Sequence, residues 1–80
     1  MWYVYILYSE SKSNYYIGYT SDLAKRLKFH NEGATKSTKS GIPWQIVYKE
    51  NYSNKKAALK REREFKRKKS RKYIEWLVKQ

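Results

Sequence analysis

"WYVYILYSESKSNYYIGYT", residues 2–20, sets the fold. Two aromatic and β-branched runs stand either side of the polar hexapeptide "SESKSN". In the first run Trp2, Val4, Ile6 and Tyr8 alternate with Tyr3, Tyr5 and Leu7. Both alternating sets are apolar, which predicts a strand covered on both faces. The polar six make a turn, and "YYIGYT" (15–20) returns as the second strand of a hairpin. Alternation places Tyr16 and Gly18 on one face of that strand and Tyr15, Ile17 and Tyr19 on the other. A glycine inside a strand weakens it and marks a bulge or the close approach of another group.

The segments that follow extend this hairpin into a small α+β domain. "SDLAKRLKFHNEG" (21–33) reads as a helix capped by Ser21 or Thr20, with Asp22 in its first turn and a stop at Gly33. "GATKSTKSGIP" (33–43) is a flexible connector of hydroxyls and lysines, either a plain loop or a phosphate-contacting one. "PWQIVYKENY" (43–52) predicts a third strand with Trp44, Ile46 and Tyr48 on one face. Ser53 caps a second helix, "NKKAALKREREFKRK" (54–68). Ser70 caps a third, "RKYIEWLVK" (71–79), which docks through Tyr73, Ile74, Trp76 and Leu77. The order β-β-α-β-α-α gives a three-stranded antiparallel sheet with packed helices.

Eighty residues make one domain, residues 1–80. A chain of this length buries only about 60–65 % of its unfolded surface. There is no Cys, so no disulfide or thiolate metal site, and nothing argues for secretion. "WYVYIL" is too short for a signal peptide or membrane span, and a cytoplasmic protein is the expectation. Nine Tyr, three Trp and two Phe must therefore supply much of the core. Nineteen Lys and Arg oppose seven Asp and Glu, a formal charge of +12. That self-repulsion is relieved by a polyanion, so nucleic acid is the first partner to consider. The run "KREREFKRKKSRK" (60–72) carries nine of the bases. A solvated helix face is the lesser reading of this run, and an anionic membrane surface fits less well still, since the run lacks a wide apolar face.

A carboxylate stands out in the second helix. Ala58, Leu59 and Phe65 define its apolar stripe, and Glu62 lies three or four residues from each, whereas Glu64 falls away from it. A buried carboxylate needs a partner: a salt bridge to Lys or Arg, or a role as metal ligand or acid–base group at a cleft. In the first helix Arg26 and His30 are four apart on one face, bordering Leu23 and Leu27, and both could reach that cleft.

Taken in order, "YVY" (3–5), "YIG" (16–18), Arg26, His30 and the Glu after "ALKR" resemble the GIY-YIG nuclease family, in register over the whole chain. The resemblance is to small stand-alone bacterial members; relatives include homing endonucleases, some restriction enzymes and the incision subunit of nucleotide excision repair, so DNA repair is one implied setting. It implies a three-stranded antiparallel sheet flanked by helices and a divalent-metal-dependent endonuclease acting on DNA, with RNA a less favoured target. On this resemblance Tyr5, Tyr16, Arg26, His30 and Glu62 are the catalytic set, Glu62 the ligand of one Mg²⁺ or Mn²⁺, and Gly18 the motif glycine. Lys66 matches a basic residue common after the glutamate. Lys25, Lys36 and Lys39 join it as candidate phosphate contacts.

Chemically, such a set suits phosphodiester hydrolysis. One carboxylate implies one metal that keeps most of its waters. Arg26 is a permanent cation for the non-bridging oxygens. Tyr5 would act as base towards water or attack directly, with Tyr16 positioning or sharing that task, and His30 would relay a proton or hold a phosphate. Gly18, lacking a side chain, would let a scissile phosphate or the helix come close. Two departures stand: the first motif is "YVY", without its glycine, and no Asn or Asp follows Glu62. A non-catalytic DNA- or RNA-binding module on the same scaffold, or an adaptor using its basic helix, are the alternatives.

Overall fold

A computed structural model describes residues 1–68 and 70–80, with Ser37 described by its backbone alone. Lys69, one of the basic run, lies outside the described residues. The elements are β1 (Trp2–Ser9), β2 (Asn14–Thr20), α1 (Leu23–Asn31), a single helical turn α2 (Lys36–Lys39), β3 (Trp44–Tyr52), α3 (Lys55–Lys68) and α4 (Arg71–Val78). The sheet is antiparallel in the order β2-β1-β3, so the most apolar run of the chain is its central strand. The expected order of strands and helices is thus present, with one addition: the connector holds a helical turn.

Because both alternating sets of β1 are apolar, each face of the sheet acquires its own core. Val4 and Ile6 pack with Ala58 and Phe65 of α3 and Ile74 and Leu77 of α4. Tyr5 and Leu7 point the other way, into a second cluster with Trp44, Tyr16, Leu23 and Leu27. Two helical layers therefore sandwich the sheet, α1 with α2 on one side and α3 with α4 on the other.

The third strand departs from simple alternation. Ile6 pairs with Tyr48 but Leu7 pairs with Ile46, so Val47 is an extra residue that shifts the register. Before this bulge Trp44 and Ile46 face the Tyr5 side; after it Tyr48 packs on the Phe65 side. The expectation that Trp44, Ile46 and Tyr48 share one face is corrected by that inserted residue. On the new face Tyr48 and Tyr52 both donate to the Glu50 carboxylate (2.5 and 2.6 Å), and Arg61 of α3 grips it through Nε and Nη2 (2.9 and 3.2 Å).

Three cap details also differ from expectation. Asp22, not Ser21 or Thr20, caps α1, its carboxylate accepting from the Lys25 amide at 3.0 Å. Asn54, not Ser53, takes the corresponding bond from Ala57 N ahead of α3. Ser70 caps α4 as expected, and Gly33 adopts φ +76° just beyond α1. In α4 Ile74 and Leu77 are buried, but Trp76 is 57 % exposed and stacks on Tyr73 instead of docking in the core. No helix among the described residues is long and apolar enough to cross a membrane.

Candidate active site

The Tyr5 side of the sheet carries a polar cluster inside its apolar rim. Tyr5 lies mid-way along β1, and its cross-strand partner on β2 is Gly18. A Cβ at Gly18 would stand 2.4 Å from the Tyr5 hydroxyl oxygen and 2.6 Å from Cζ, so the Tyr5 phenol itself occupies the space a side chain would need. The close approach expected at Gly18 is made here by the Tyr5 ring of the neighbouring strand. The glycine lets the ring lie flat across the neighbouring strand and sets where its hydroxyl falls.

α1 delivers the partners of that hydroxyl. Leu23 and Leu27 fix the helix on the sheet, and the i, i+4 spacing then brings Arg26 and His30 to one edge. Arg26 Nε donates to the Tyr5 oxygen at 3.4 Å, and His30 Nε2 lies 3.2 Å from the same oxygen. His30 is fully buried and Tyr5 nearly so. The Tyr16 ring meets His30 edge-on at 4.8 Å between centroids, and Arg26 stacks over Phe29 at 5.2 Å. Five expected residues, Tyr5, Tyr16, Gly18, Arg26 and His30, thus converge.

The electrostatics follow from burial against one fixed cation. Burial pushes the Tyr5 phenol up, while the hydrogen bond and charge of Arg26 pull it back; the charge of Glu62 adds slightly to the rise. Burial, then the Arg26 charge, push His30 below the ordinary histidine value, so it is neutral near pH 7. Arg26 is held more firmly protonated, chiefly by its bond to Tyr5.

Glu62 lies on α3, in the opposite helical layer; its charge is felt at Tyr5, but no hydrogen bond or ion pair among the described residues joins it to the hydroxyl cluster. It is 8 % exposed, and its Oε1 is 3.6 Å from Nζ of the exposed Lys66. Glu64 turns away to pair with Arg61, as the helix phase foretold, and Leu59 is only half-buried, beside Lys56, Lys60 and Arg63 on the outer surface of α3. Lys25, Lys36 and Lys39 are exposed and make no side-chain bond within the cluster among the described residues.

Sequence reasoning passed over the residues that brace the cluster. Thr38, 1 % exposed, lies with its Oγ1 3.1 Å from His30 Nδ1 and donates to the Thr35 carbonyl at 3.3 Å. Trp44 Nε1 donates to the Thr38 carbonyl at 2.7 Å. The Asn31 amide bonds both backbone groups of Trp44, accepting at 2.6 Å and donating at 3.0 Å. The connector is therefore a pinned turn, not a flexible loop. Nothing in "GATKSTKSG" distinguishes Thr38 from the hydroxyls around it; Asn31, just before the stop signal, reads as ordinary helix punctuation.

The model of the GIY-YIG catalytic domain matches residues 1–74. The chain belongs to the GIY-YIG family. Similar proteins include a UPF0213 protein of Streptococcus pneumoniae strain R6, 41 % identical over 68 residues (84 % of this chain, 68 % of that one). The UPF0213 protein YazA of Bacillus subtilis is 43 % identical over 67 residues (79 % and 68 %). The solution structure of the UPF0213 protein BH0048 from Bacillus halodurans superposes with a TM-score of 0.61 at 36 % identity, covering 99 % of this chain and 84 % of that one. A GIY-YIG domain implies a nuclease fold and a nucleic-acid substrate, and GIY-YIG nucleases generally use divalent metal ions.

The donor set of this GIY-YIG chain suits such an ion in one form only. Among the described residues no three His, Cys, Asp or Glu side chains cluster around a metal-sized point. Glu62, however, accepts no hydrogen bond from a described residue and has a single, long ion pair. Its lone pairs are uncommitted. A single hard oxygen donor fits an ion that retains most of its water.

Proposed function

We propose that this chain is a divalent-metal-dependent endonuclease that hydrolyses phosphodiester bonds of DNA, residues 1–80 acting as one domain. One observation carries the proposal: a buried tyrosine hydroxyl held between a permanent guanidinium and a neutral imidazole, with a glycine opposite to make room. A phenol buried only for packing needs one hydrogen-bond acceptor, which His30 alone supplies; the guanidinium on the same oxygen is more than that requires.

Tyr5 serves as base towards a water or as the nucleophile itself, and Tyr16 completes the wall that orients the attacked phosphate. Arg26, charged at every working pH, stabilises negative charge growing on the non-bridging oxygens as well as on Tyr5. Removing one such preorganised donor costs about 10²–10³-fold in rate. His30 exchanges a proton with Tyr5. Glu62 would hold Mg²⁺ or Mn²⁺, and such an ion, when bound, neutralises phosphate and leaving-group charge. Lys25, Lys36, Lys39 and Lys66 lie outside the hydroxyl cluster as contacts for flanking phosphates. Contacts of lysines to phosphates carry no sequence information, so the substrate is selected by structure, with branched, flapped or damaged DNA favoured.

The test is incubation of the protein with end-labelled duplex, flap and junction DNA in Mg²⁺ or Mn²⁺. Nicking that disappears with chelator and falls at least about 10²-fold in Glu62→Gln, with DNA affinity retained, supports the proposal. Absence of nicking on all three substrates, or a Glu62→Gln protein that cuts at the parental rate, refutes it.

A further inference from the structure

We infer that Thr38 is a positioning residue: it holds His30 in the tautomer protonated at Nδ1, so that Nε2 is the acceptor for the proton of Tyr5. The bearing of this on catalysis rests on the endonuclease proposal above; the tautomer itself does not.

The direction follows from counting protons along one chain of contacts. The Thr38 hydroxyl has one hydrogen, and it is directed to the Thr35 carbonyl, which can only accept. Towards His30 Nδ1, 3.1 Å away, Thr38 Oγ1 is then an acceptor, so Nδ1 must carry the hydrogen. A neutral imidazole has one N–H, which leaves Nε2 with a lone pair aimed at the Tyr5 oxygen 3.2 Å away. Arg26 Nε is also a donor to that oxygen, so the one acceptor among its hydrogen-bond contacts for the phenol hydrogen is Nε2. Every link from Thr35 to Arg26 then has one donor and one acceptor.

The opposite tautomer breaks this order. With the hydrogen on Nε2, Thr38 would have to turn its own hydrogen to Nδ1 and abandon the Thr35 carbonyl. The Tyr5 oxygen would face two donors, and its proton would point away from its base. Bulk solvent does not reach the pair to repair the mismatch, because His30 and Thr38 are 0 % and 1 % exposed. Thr38 is in turn fixed by the Trp44 indole on its carbonyl.

In the proton step, the Tyr5 O–H bond breaks, the proton joins His30 Nε2, and the electron pair stays on the phenolate oxygen beside Arg26. The imidazolium keeps its Nδ1–H on Thr38. No other species is consumed.

His30 is the single histidine of the chain, so its ring nitrogens are the only imidazole signals in a long-range ¹H–¹⁵N spectrum of the labelled protein. At pH 7.5 the expected spectrum shows a protonated Nδ1 and an unprotonated Nε2. A ring protonated at Nε2 overturns the inference, whatever the cleavage assay gives. In Thr38→Val the Nδ1–H form should lose its dominance. The maximal cleavage rate should fall about tenfold to a hundredfold, the scale of losing the partner that orients a functional histidine, with KM unchanged. Thr38→Ser should restore both spectrum and rate. A Thr38→Val protein with the parental spectrum and rate refutes the assignment. If Thr38→Val fails to fold, the parental and Thr38→Ser spectra still decide. Parental protein that shows the Nδ1–H form but cuts nothing leaves the tautomer standing and sinks the endonuclease proposal instead.

Discussion

Replacing Gly18 with Ala probes the placement of Tyr5 more directly than replacing Tyr5. The new Cβ would start 2.4 Å from the phenol oxygen and 2.6 Å from Cζ, against the 3.4 Å at which ordinary contact begins. Restoring contact moves the ring tip by about 1 Å, in an interior too dense to absorb it silently. Moved that far away from β2, the hydroxyl cannot keep both its 3.2 Å contact with His30 and its 3.4 Å bond from Arg26, each already near the limit of a useful hydrogen bond. Overpacking costs about 1–3 kcal/mol, and the backbone gain of Ala over Gly in a strand returns about 0.5–1 kcal/mol. The expected net loss is about 0.5–2 kcal/mol, or roughly 2–16 °C in Tm at about 4–8 °C per kcal/mol for a domain of this size. Cleavage, which depends on hydroxyl position, should fall by about 10²-fold. Urea unfolding and single-turnover cleavage measure the two effects. A Tyr5→Leu background supplies the control: with no phenol to strike, Gly18→Ala should there be neutral or stabilising. If Gly18→Ala costs the same in both backgrounds, or leaves the parental protein stable and active, the account of the glycine is wrong.

Further predictions concern the pins around the sheet. Glu50 is held below the ordinary carboxylate range: burial opposes this, but the bonds from Arg61, Tyr48 and Tyr52 outweigh it. Its contribution is complete above pH 4.5 and is lost as pH falls through the depressed value. Burial, then the Glu50 bond, push Tyr48 and Tyr52 up to about 12, so their contribution is complete below pH 10 and is lost between pH 10 and 12. Glu50→Gln should flatten both limbs of stability against pH and cost about 2–3 kcal/mol at neutrality; urea midpoints across pH check this. His30, depressed by burial, stabilises fully above pH 6.5 and loses its contribution as pH falls below that, a slope that His30→Gln should remove. Asn31→Ala leaves the Trp44 N–H and carbonyl unpaired and should cost about 2–3 kcal/mol in urea unfolding; a loss under about 0.5 kcal/mol contradicts that role.

The hairpin, and the placing of Tyr16 and Gly18 on one face of its second strand, were legible because strand alternation is a local signal; the register that sets Gly18 opposite Tyr5 was not. The proximity of Arg26 and His30 was legible for a similar reason, since i, i+4 geometry needs no knowledge of the rest of the chain. The burial of Glu62 followed from its phase on an amphipathic helix. What escaped depends on events between segments. The Val47 bulge comes from matching β3 to β1, and no residue within "QIVYK" announces it. Thr38 is selected over its neighbours by the His30 ring and the Trp44 indole, both distant in sequence. The choice of Asp22 over Ser21, and of Asn54 over Ser53, shifts a helix start by one residue among equally competent caps. Trp76 looks like core by composition, but on α4 only Ile74 and Leu77 are buried, and Trp76 lies exposed against Tyr73.

The central position of β1 has a kinetic consequence. Its backbone amides are bonded on both edges and its side chains are covered on both faces, so residues 4–7 have no partial opening available to them. Their hydrogen exchange should occur only through global unfolding, with α1 and the 35–38 turn exchanging through smaller excursions. The phenol oxygen is thus anchored to the slowest-breathing strand of the chain, and any motion that admits a bulky polymer must come from the helical wall that carries the guanidinium.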